Sequence, residues 1–303
     1  MRPATLRGAS TVFEGIAIAT IEFAAADGAR SAAAVFAATR NDAPVVVIWP
    51  AMGVPARFYE PFAPVLGAAA GAHVVVPDLR GIGASSLRAS RQVNFGYREL
   101  VELDCPAAVA AVRAHFPHSP IYLLGHSLGG QVSALYAARE PQAVKGLIFV
   151  ASGNVWYRGW RFPQNASFLL FTQAAGFIAQ TLGYFPGRKL GFGGTEARWL
   201  MRDWARTARD GRYRLGGSSF DYEAALAHLQ LPLLGIGFAH DHFAPHRAAE
   251  NLLHKMKAAR LTHLKLTAAE TEGRKLDHFS WVKQPQPVAQ RIAHWLAQQG
   301  AVQ

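Results

Sequence analysis

Ten residues, Ile121-Tyr122-Leu123-Leu124-Gly125-His126-Ser127-Leu128-Gly129-Gly130, constrain this chain more than any other stretch. The first four read as a short buried strand, and Gln131–Arg139 reads as a helix. Gly-x-Ser-x-Gly lies between them, so the serine occupies a sharp strand-to-helix turn. Such a turn forces strained backbone geometry and lifts the hydroxyl clear of the sheet edge. Gly125 and Gly129 leave room for strand and helix to pack closely there. The N–H of Leu128 opens a helix N-terminus, where negative charge is favoured. A glycine-containing turn of any α/β protein is the bland alternative, and the flanking strand and helix weigh against it.

The rest of the chain repeats that rhythm. Ile16–Phe23 and Ala32–Ala38 flank Asp27-Gly28 as an opening hairpin. Pro44–Trp49 holds a continuous apolar run, expected of a strand covered on both faces. Arg57–Ala70 reads as a helix closed by Gly71, Ala72–Val76 as a strand, Tyr97–Phe116 as a long helix and Val144–Ala151 as a further strand. Strands alternating with helices predict a mostly parallel sheet with helices on both faces. After Ser152 the rhythm breaks. From Asn154 to about His228 no convincing buried strand occurs, only aromatic-rich segments, the run Gly191-Phe192-Gly193-Gly194 and a helix over Glu196–Arg209. Residues 153–228 read as a helical insertion, and residues 1–152 and 229–303 as the core. The pattern resumes with strand Leu231–Phe238, helix Arg247–Ala258, strand Leu261–Leu266 and helix Pro287–Gln298.

Half of the 303 residues are hydrophobic and 17% are charged, enough apolar material for a sizeable core. A net charge of +11 would suit nucleic acid, an anionic membrane surface or an acidic substrate. The basic residues are scattered, however. The densest run, Arg198, Arg202, Arg206, Arg209, Arg212 and Arg214, is spaced largely as a solvated helix face, and no nucleic-acid partner is expected. The one cysteine, Cys105, cannot form an internal disulfide. Residues 1–7 lack the apolar core of a signal peptide, which points to a cytoplasmic chain. The most hydrophobic long window, Phe168–Phe185, carries Thr172, Gln173, Gln180 and Thr181. It reads as a buried or substrate-facing helix, and no stable membrane insertion is expected.

With these pieces in place the sequence resembles the α/β-hydrolase superfamily, closest to its lysophospholipase and serine-aminopeptidase-like serine hydrolases. The resemblance rests on Gly125–Gly130, on Asp78-Leu79-Arg80-Gly81-Ile82-Gly83-Ala84-Ser85 and on two C-terminal positions. It covers about residues 10–152 and 229–300, but not the insertion. It implies the α/β-hydrolase fold with a helical cap, and a triad in the chain order serine, acid, histidine. Ser127 is then the nucleophile. His278 is the base, in the loop after the last strand; His263 falls in a strand and His294 in a helix. Asp241 is the acid, at the end of strand Leu233–Phe238, and Asp277 is its rival. Asp78 is expected to shape a loop near the site. Charge developing on a carbonyl oxygen needs two N–H donors. Leu128 is one. The other is Met52, aligned from Pro50-Ala51-Met52-Gly53, which departs from the His-Gly-x-Gly of many relatives at both leading positions.

These expectations describe a serine hydrolase acting on a small-molecule ester, thioester or amide through an acyl-enzyme. Trp156, Trp160 and Phe171 are the expected substrate-binding side chains, with ordinary helix core as the alternative for each. An acyltransferase using the same triad stays open. A non-catalytic binding member is the remaining alternative, and intact Ser127, Asp241 and His278 argue against it. Relatives that cleave halides or epoxides carry aspartate where this chain has Ser127. No metal or organic cofactor is expected. His240, Asp241, His242 and His246 could supply two or three ligands from one loop, but they match no metalloenzyme pattern.

Overall fold

The computed structural model describes residues 12–13 and 16–300. Residues 1–7, read above for a targeting segment, lie outside the described residues. In chain order the strands are β1 (Val12–Phe13), β2 (Ile16–Ala24), β3 (Arg30–Phe36), β4 (Val45–Trp49), β5 (His73–Pro77), β6 (Ile121–His126), β7 (Gly146–Val150), β8 (Tyr184–Phe185), β9 (Glu196–Ala197), β10 (Pro232–Phe238) and β11 (Arg260–Leu266). Nine of them form one sheet in the order β1-β2-β3-β5-β4-β6-β7-β10-β11, and β8 pairs with β9 outside it. The β1–β2, β2–β3 and β3–β5 pairs are antiparallel. From β5 to β11 every neighbouring pair is parallel.

Strand β4 shows why the interior strands are continuous apolar runs. Val45–Trp49 are all at most 1% exposed. Val45, Val47 and Trp49 enter one core, and Val46 and Ile48 enter the other. Successive side chains point to opposite faces, so a strand covered on both sides has no polar face. Helices Cys105–His115 and Leu128–Arg139 fill the first core; Ala63–Ala70 and Gln286–Gly300 fill the second. Adjacent β4 and β6 lead the chain outward in opposite directions across the sheet. The strand order therefore reverses between them, and in open α/β sheets ligands sit outside the carboxyl ends of such strands.

Two helices differ from their sequence reading. Arg57–Ala70 is broken into a 3-10 turn, Ala56–Tyr59, and a helix, Ala63–Ala70. Pro61 and Pro64 lack the N–H that an unbroken helix needs there. Gly71 closes the helix at φ +58, as its position suggested. The helix read over Tyr97–Phe116 carries a π-helical turn at Leu100–Asp104 before Cys105–His115. Cys105 is fully buried, and burial pushes its thiol well above the ordinary range, which keeps it protonated and inert.

Between β7 and β10 lie helices Gln164–Leu182, Gly187–Leu190, Arg198–Asp210 and Tyr222–His228. Helix Gln164–Leu182 buries only small or short residues, Thr172, Ala175, Gly176 and Ala179. A Cβ at Gly176 would press on Ala205 of helix Arg198–Asp210, so the two helices approach closely. Its outer face carries Leu170 and Phe177 at 72% and 70% exposure. The Phe168–Phe185 window, read as buried or substrate-facing, thus exposes one face, while its other residues are buried or half-buried and Phe168 reaches a cavity described below. Tyr222 and Leu226 belong to the same core as helix Leu128–Arg139. Among the described residues no helix is long and apolar enough to cross a membrane.

Candidate active site

β6 delivers Ser127 at its carboxyl end, and helix Leu128–Arg139 leaves from the next residue. Ser127 has φ +53 and ψ −116. Non-glycine residues occupy such regions at a cost of order 1–3 kcal/mol, and only where surrounding structure holds them. Three contacts hold Ser127. Its N–H donates to the Val150 carbonyl at 3.4 Å, and its own carbonyl accepts the Ser152 hydroxyl at 2.7 Å and the Gly130 N–H at 3.1 Å. The flanking glycines are required by close approach. A Cβ at Gly129 would run into the Trp49 carbonyl of β4, and one at Gly125 into the backbone of Gly130.

His278 is 5% exposed and lies between β11 and the short helix Ser280–Lys283. Its Nδ1 is 2.9 Å from Asp241 Oδ2 and 3.1 Å from Oδ1. Asp241 follows β10 and is 4% exposed; its Oδ1 also accepts the N–H groups of Phe243 and Ala244, each at 2.8 Å. A proton on Nδ1, shared with this carboxylate, leaves Nε2 as the lone pair. Asp277 is committed elsewhere. Its Oδ1 accepts the N–H groups of Phe279 at 3.0 Å and Ser280 at 2.8 Å, and its N–H donates to Ser280 Oγ, which together cap the following short helix. Asp78 ties two loops together, accepting the Ala56 N–H at 2.7 Å and the Ala84 N–H at 2.8 Å.

Ser127, Leu128, Met52 and His278 open onto one cavity of about 130 Å³. Val155, Phe168, Phe192, Trp204 and Phe243 supply apolar wall. None of Trp156, Trp160 and Phe171, the side chains expected to bind substrate, is among the residues that line it. Trp160 stacks on Phe168 at 3.9 Å and donates its Nε1–H to the His242 carbonyl. Phe171 meets Phe192 and Trp204 edge-on at 5.0 and 6.2 Å, and Trp156 lies against Gly211. Trp160 and Phe171 stand behind the wall, because helical spacing defines a face without saying which neighbour covers it.

Several supporting residues had no sequence signal. The Ala51 N–H is bonded to Tyr59 Oη at 2.9 Å, so of the adjacent pair Met52 carries the candidate donor. Tyr59 Oη lies 2.8 Å from His126 Nδ1, and the His126 ring is 5.0 Å from that of His278. Burial pushes His126 well below the ordinary histidine range, and neighbouring His278 adds to the effect, so the ring is neutral. Trp281 Nε1–H donates to the His278 carbonyl at 3.0 Å. Gln131, on the cavity wall, accepts the Tyr97 hydroxyl at 2.8 Å and donates to the Gly153 carbonyl at 2.9 Å. His126 occupies a variable motif position, and Tyr59 falls within the stretch Arg57–Ala70 that reads as a helix. In the histidine-rich loop, His240 and His242 are exposed and His246 stacks on His263 at 4.9 Å. Among the described residues no three potential ligands gather around a metal-sized space.

A family model described as alpha/beta hydrolase fold matches residues 44–265. Over 89 residues the chain is 35% identical to Lipase 1 of Psychrobacter immobilis, a match covering 29% of this chain and 26% of the lipase. Over 154 residues it is 31% identical to the pimeloyl-[acyl-carrier protein] methyl ester esterase of Chromobacterium violaceum, covering 50% of this chain and 55% of the esterase. The chain thus spans about a quarter to half the length of these two curated relatives. Among solved structures, Est1E from Butyrivibrio proteoclasticus with ferulic acid bound shares the fold at a TM-score of 0.62 and 16% identity, over 92% of this chain and 99% of that one.

Proposed function

The chain belongs to the α/β-hydrolase fold family, and from that premise we propose that it is a serine hydrolase cleaving an ester or thioester through an acyl-enzyme. The carrying observation is the Asp241–His278 pair on the cavity that strained Ser127 also lines. The similarity to a lipase and a methyl ester esterase supports the same chemistry.

His278 Nε2 accepts the Ser127 hydroxyl proton as Oγ attacks the carbonyl carbon. The N–H groups of Leu128 and Met52 receive the negative charge that develops on the carbonyl oxygen. The tetrahedral intermediate expels the alcohol or thiol, which leaves with the proton from His278. Water then gives a proton to His278 and attacks the acyl-enzyme, releasing the acid and restoring Ser127. Asp241 fixes the imidazole tautomer and stabilises the imidazolium. A cavity of about 130 Å³ is close to one that holds a single benzene ring, so an acyl group of a few carbons fits. Residues 153–228 act as the cap, and Val155, Phe168, Phe192 and Trp204 are its apolar side chains on the acyl pocket. A fluorophosphonate probe labels the folded wild type and leaves Ser127→Ala unlabelled. No labelling of wild type, or equal labelling of both, overturns the reading.

A further inference from the structure

The two candidate oxyanion donors stand at the ends of different strands, Met52 after β4 and Leu128 after β6. The β4–β6 ladder runs only as far as Trp49 opposite Gly125. Pro50, which follows Trp49, has no N–H with which to extend it. Beyond that point strand pairing no longer fixes how far apart the two turns lie. The Tyr59 hydroxyl spans the gap. It accepts the Ala51 N–H at 2.9 Å, one residue before Met52, and lies 2.8 Å from His126 Nδ1, two residues before Leu128. An amide N–H only donates, so the hydroxyl hydrogen is left for Nδ1, which accepts it. The ring proton of His126 is then on Nε2. That atom has no partner of normal hydrogen-bond geometry and feels only the weaker pull of the His278 carbonyl. Tyr59 and His126 are both 0% exposed, so these bonds are made out of reach of bulk solvent. The Tyr59 ring meets Phe58 edge-on at 5.4 Å and His126 at 5.9 Å, which fixes where its hydroxyl stands. On the other side of Met52, Gly53 meets Gly193 and Gly194 backbone to backbone. The turn is thus held at both ends, by packing at Gly53 and by one hydroxyl at Ala51.

We propose that Tyr59 is a positioning residue for the reaction at Ser127: its hydroxyl, bridging Ala51 and His126, sets the separation of the Met52 and Leu128 N–H groups. The proposal rests on the serine-hydrolase reading. Neither Tyr59 nor His126 lines the cavity, so both act through the backbone they hold. An oxyanion donor works when it lies about 2.7–3.1 Å from where the charge develops. A misplacement of about 1 Å costs on the order of 10²-fold in rate. The substrate's acyl group rests on the apolar wall, which Tyr59 does not touch. Loosening the two donors is therefore felt in kcat and not in KM, because their contact with the oxygen strengthens only in the transition state.

Tyr59→Phe removes the hydroxyl and keeps the ring. On p-nitrophenyl butanoate it is expected to lower kcat by on the order of 10- to 100-fold and to leave KM within about twofold. A butyl trifluoromethyl ketone reads the oxyanion site directly. Ser127 Oγ adds to its carbonyl carbon, the hydroxyl proton passes to His278, and the carbonyl electron pair goes to the oxygen. Its inhibition constant is expected to rise in Tyr59→Phe by the factor by which kcat/KM falls. Unchanged kcat, a loss confined to KM, or a lower kcat with the ketone bound as tightly as in wild type overturns the proposal. Should Tyr59→Phe not fold, His126 decides. His126→Asn keeps a side-chain oxygen to accept the Tyr59 hydroxyl and His126→Leu does not, so the Asn variant is expected to retain a kcat higher by on the order of tenfold. Equal kcat in these two variants overturns the proposal. The serine-hydrolase reading is checked separately, in wild type. If wild type neither cleaves the ester nor is labelled at Ser127, that reading fails and the positioning role falls with it; if wild type does both and the variants match it, the positioning role alone fails.

Discussion

Asp241 and Asp277 differ in what their oxygens face. Asp241 directs both toward His278, while Asp277 directs one to two N–H groups of its own turn. Asp241→Asn is therefore expected to lower kcat by on the order of 10⁴, as loss of the correct tautomer does in a related geometry. Asp277→Asn keeps a competent helix cap and leaves kcat near wild type. Steady-state kinetics on a p-nitrophenyl ester checks both, and the reverse pattern would reassign the acid. Glu196, 3% exposed, gives a second test at this scale. Burial pushes its carboxyl from 4.5 up to about 7, against the opposing Gly194 N–H. Between those values the folded state keeps a proton that the unfolded chain has released. Stability therefore falls as pH rises from 4.5 to 7 and levels off above. Glu196→Gln keeps an acceptor for Gly194 and removes the titration. It is expected to exceed wild type by up to roughly 3 kcal/mol at pH 8 and to match it near pH 4. Urea denaturation across that range reads the difference, and parallel pH curves for the two proteins would refute the assignment.

The helix pair Gln164–Leu182 and Arg198–Asp210 carries most of what local pattern left out. The arginine run had read as a solvated face. Its centre is instead Asp203, 3% exposed, which accepts Arg206 at 3.0 Å, Arg202 at 3.2 Å and the Gly216 N–H at 3.2 Å. Trp204, the next residue, reaches the cavity wall. Trp204→Ala enlarges the acyl space, so its preference among p-nitrophenyl esters is expected to move from butanoate toward octanoate; an unchanged chain-length profile would place the acyl group elsewhere. Strands and elbow were legible because burial on both faces and a Gly-x-Ser-x-Gly turn leave marks within a few residues. The aromatic insertion was legible as pocket wall only as a whole; that Phe168 and Trp204 in particular share that wall depends on two helices meeting, which no local period encodes. The misread helix at Arg57–Ala70 was of another kind: apolar spacing was weighed above Pro61 and Pro64, whose missing N–H groups decided the outcome.

At the scale of the molecule, Met52, Ser127, Asp241 and His278 follow four different strands, β4, β6, β10 and β11, and collect at one end of the sheet. Chain order alone made that convergence readable, because parallel strands present all their carboxyl ends on one side. The net charge of +11 was readable too, but not its focus. Arg57, Arg88 and Arg188 are far apart in the chain, and only the fold gathers them around one cleft. The backbone meeting of Gly53 with Gly193 and Gly194 has a consequence for anyone diversifying this protein. A Cβ at Gly53 has no space, so a combinatorial library that samples that position fills with clones that do not fold. Phe168, Phe192 and Trp204 stand around the same cavity and can change size while that backbone contact stays fixed. Substrate scope is thus evolvable through three side chains mounted on an unvarying frame.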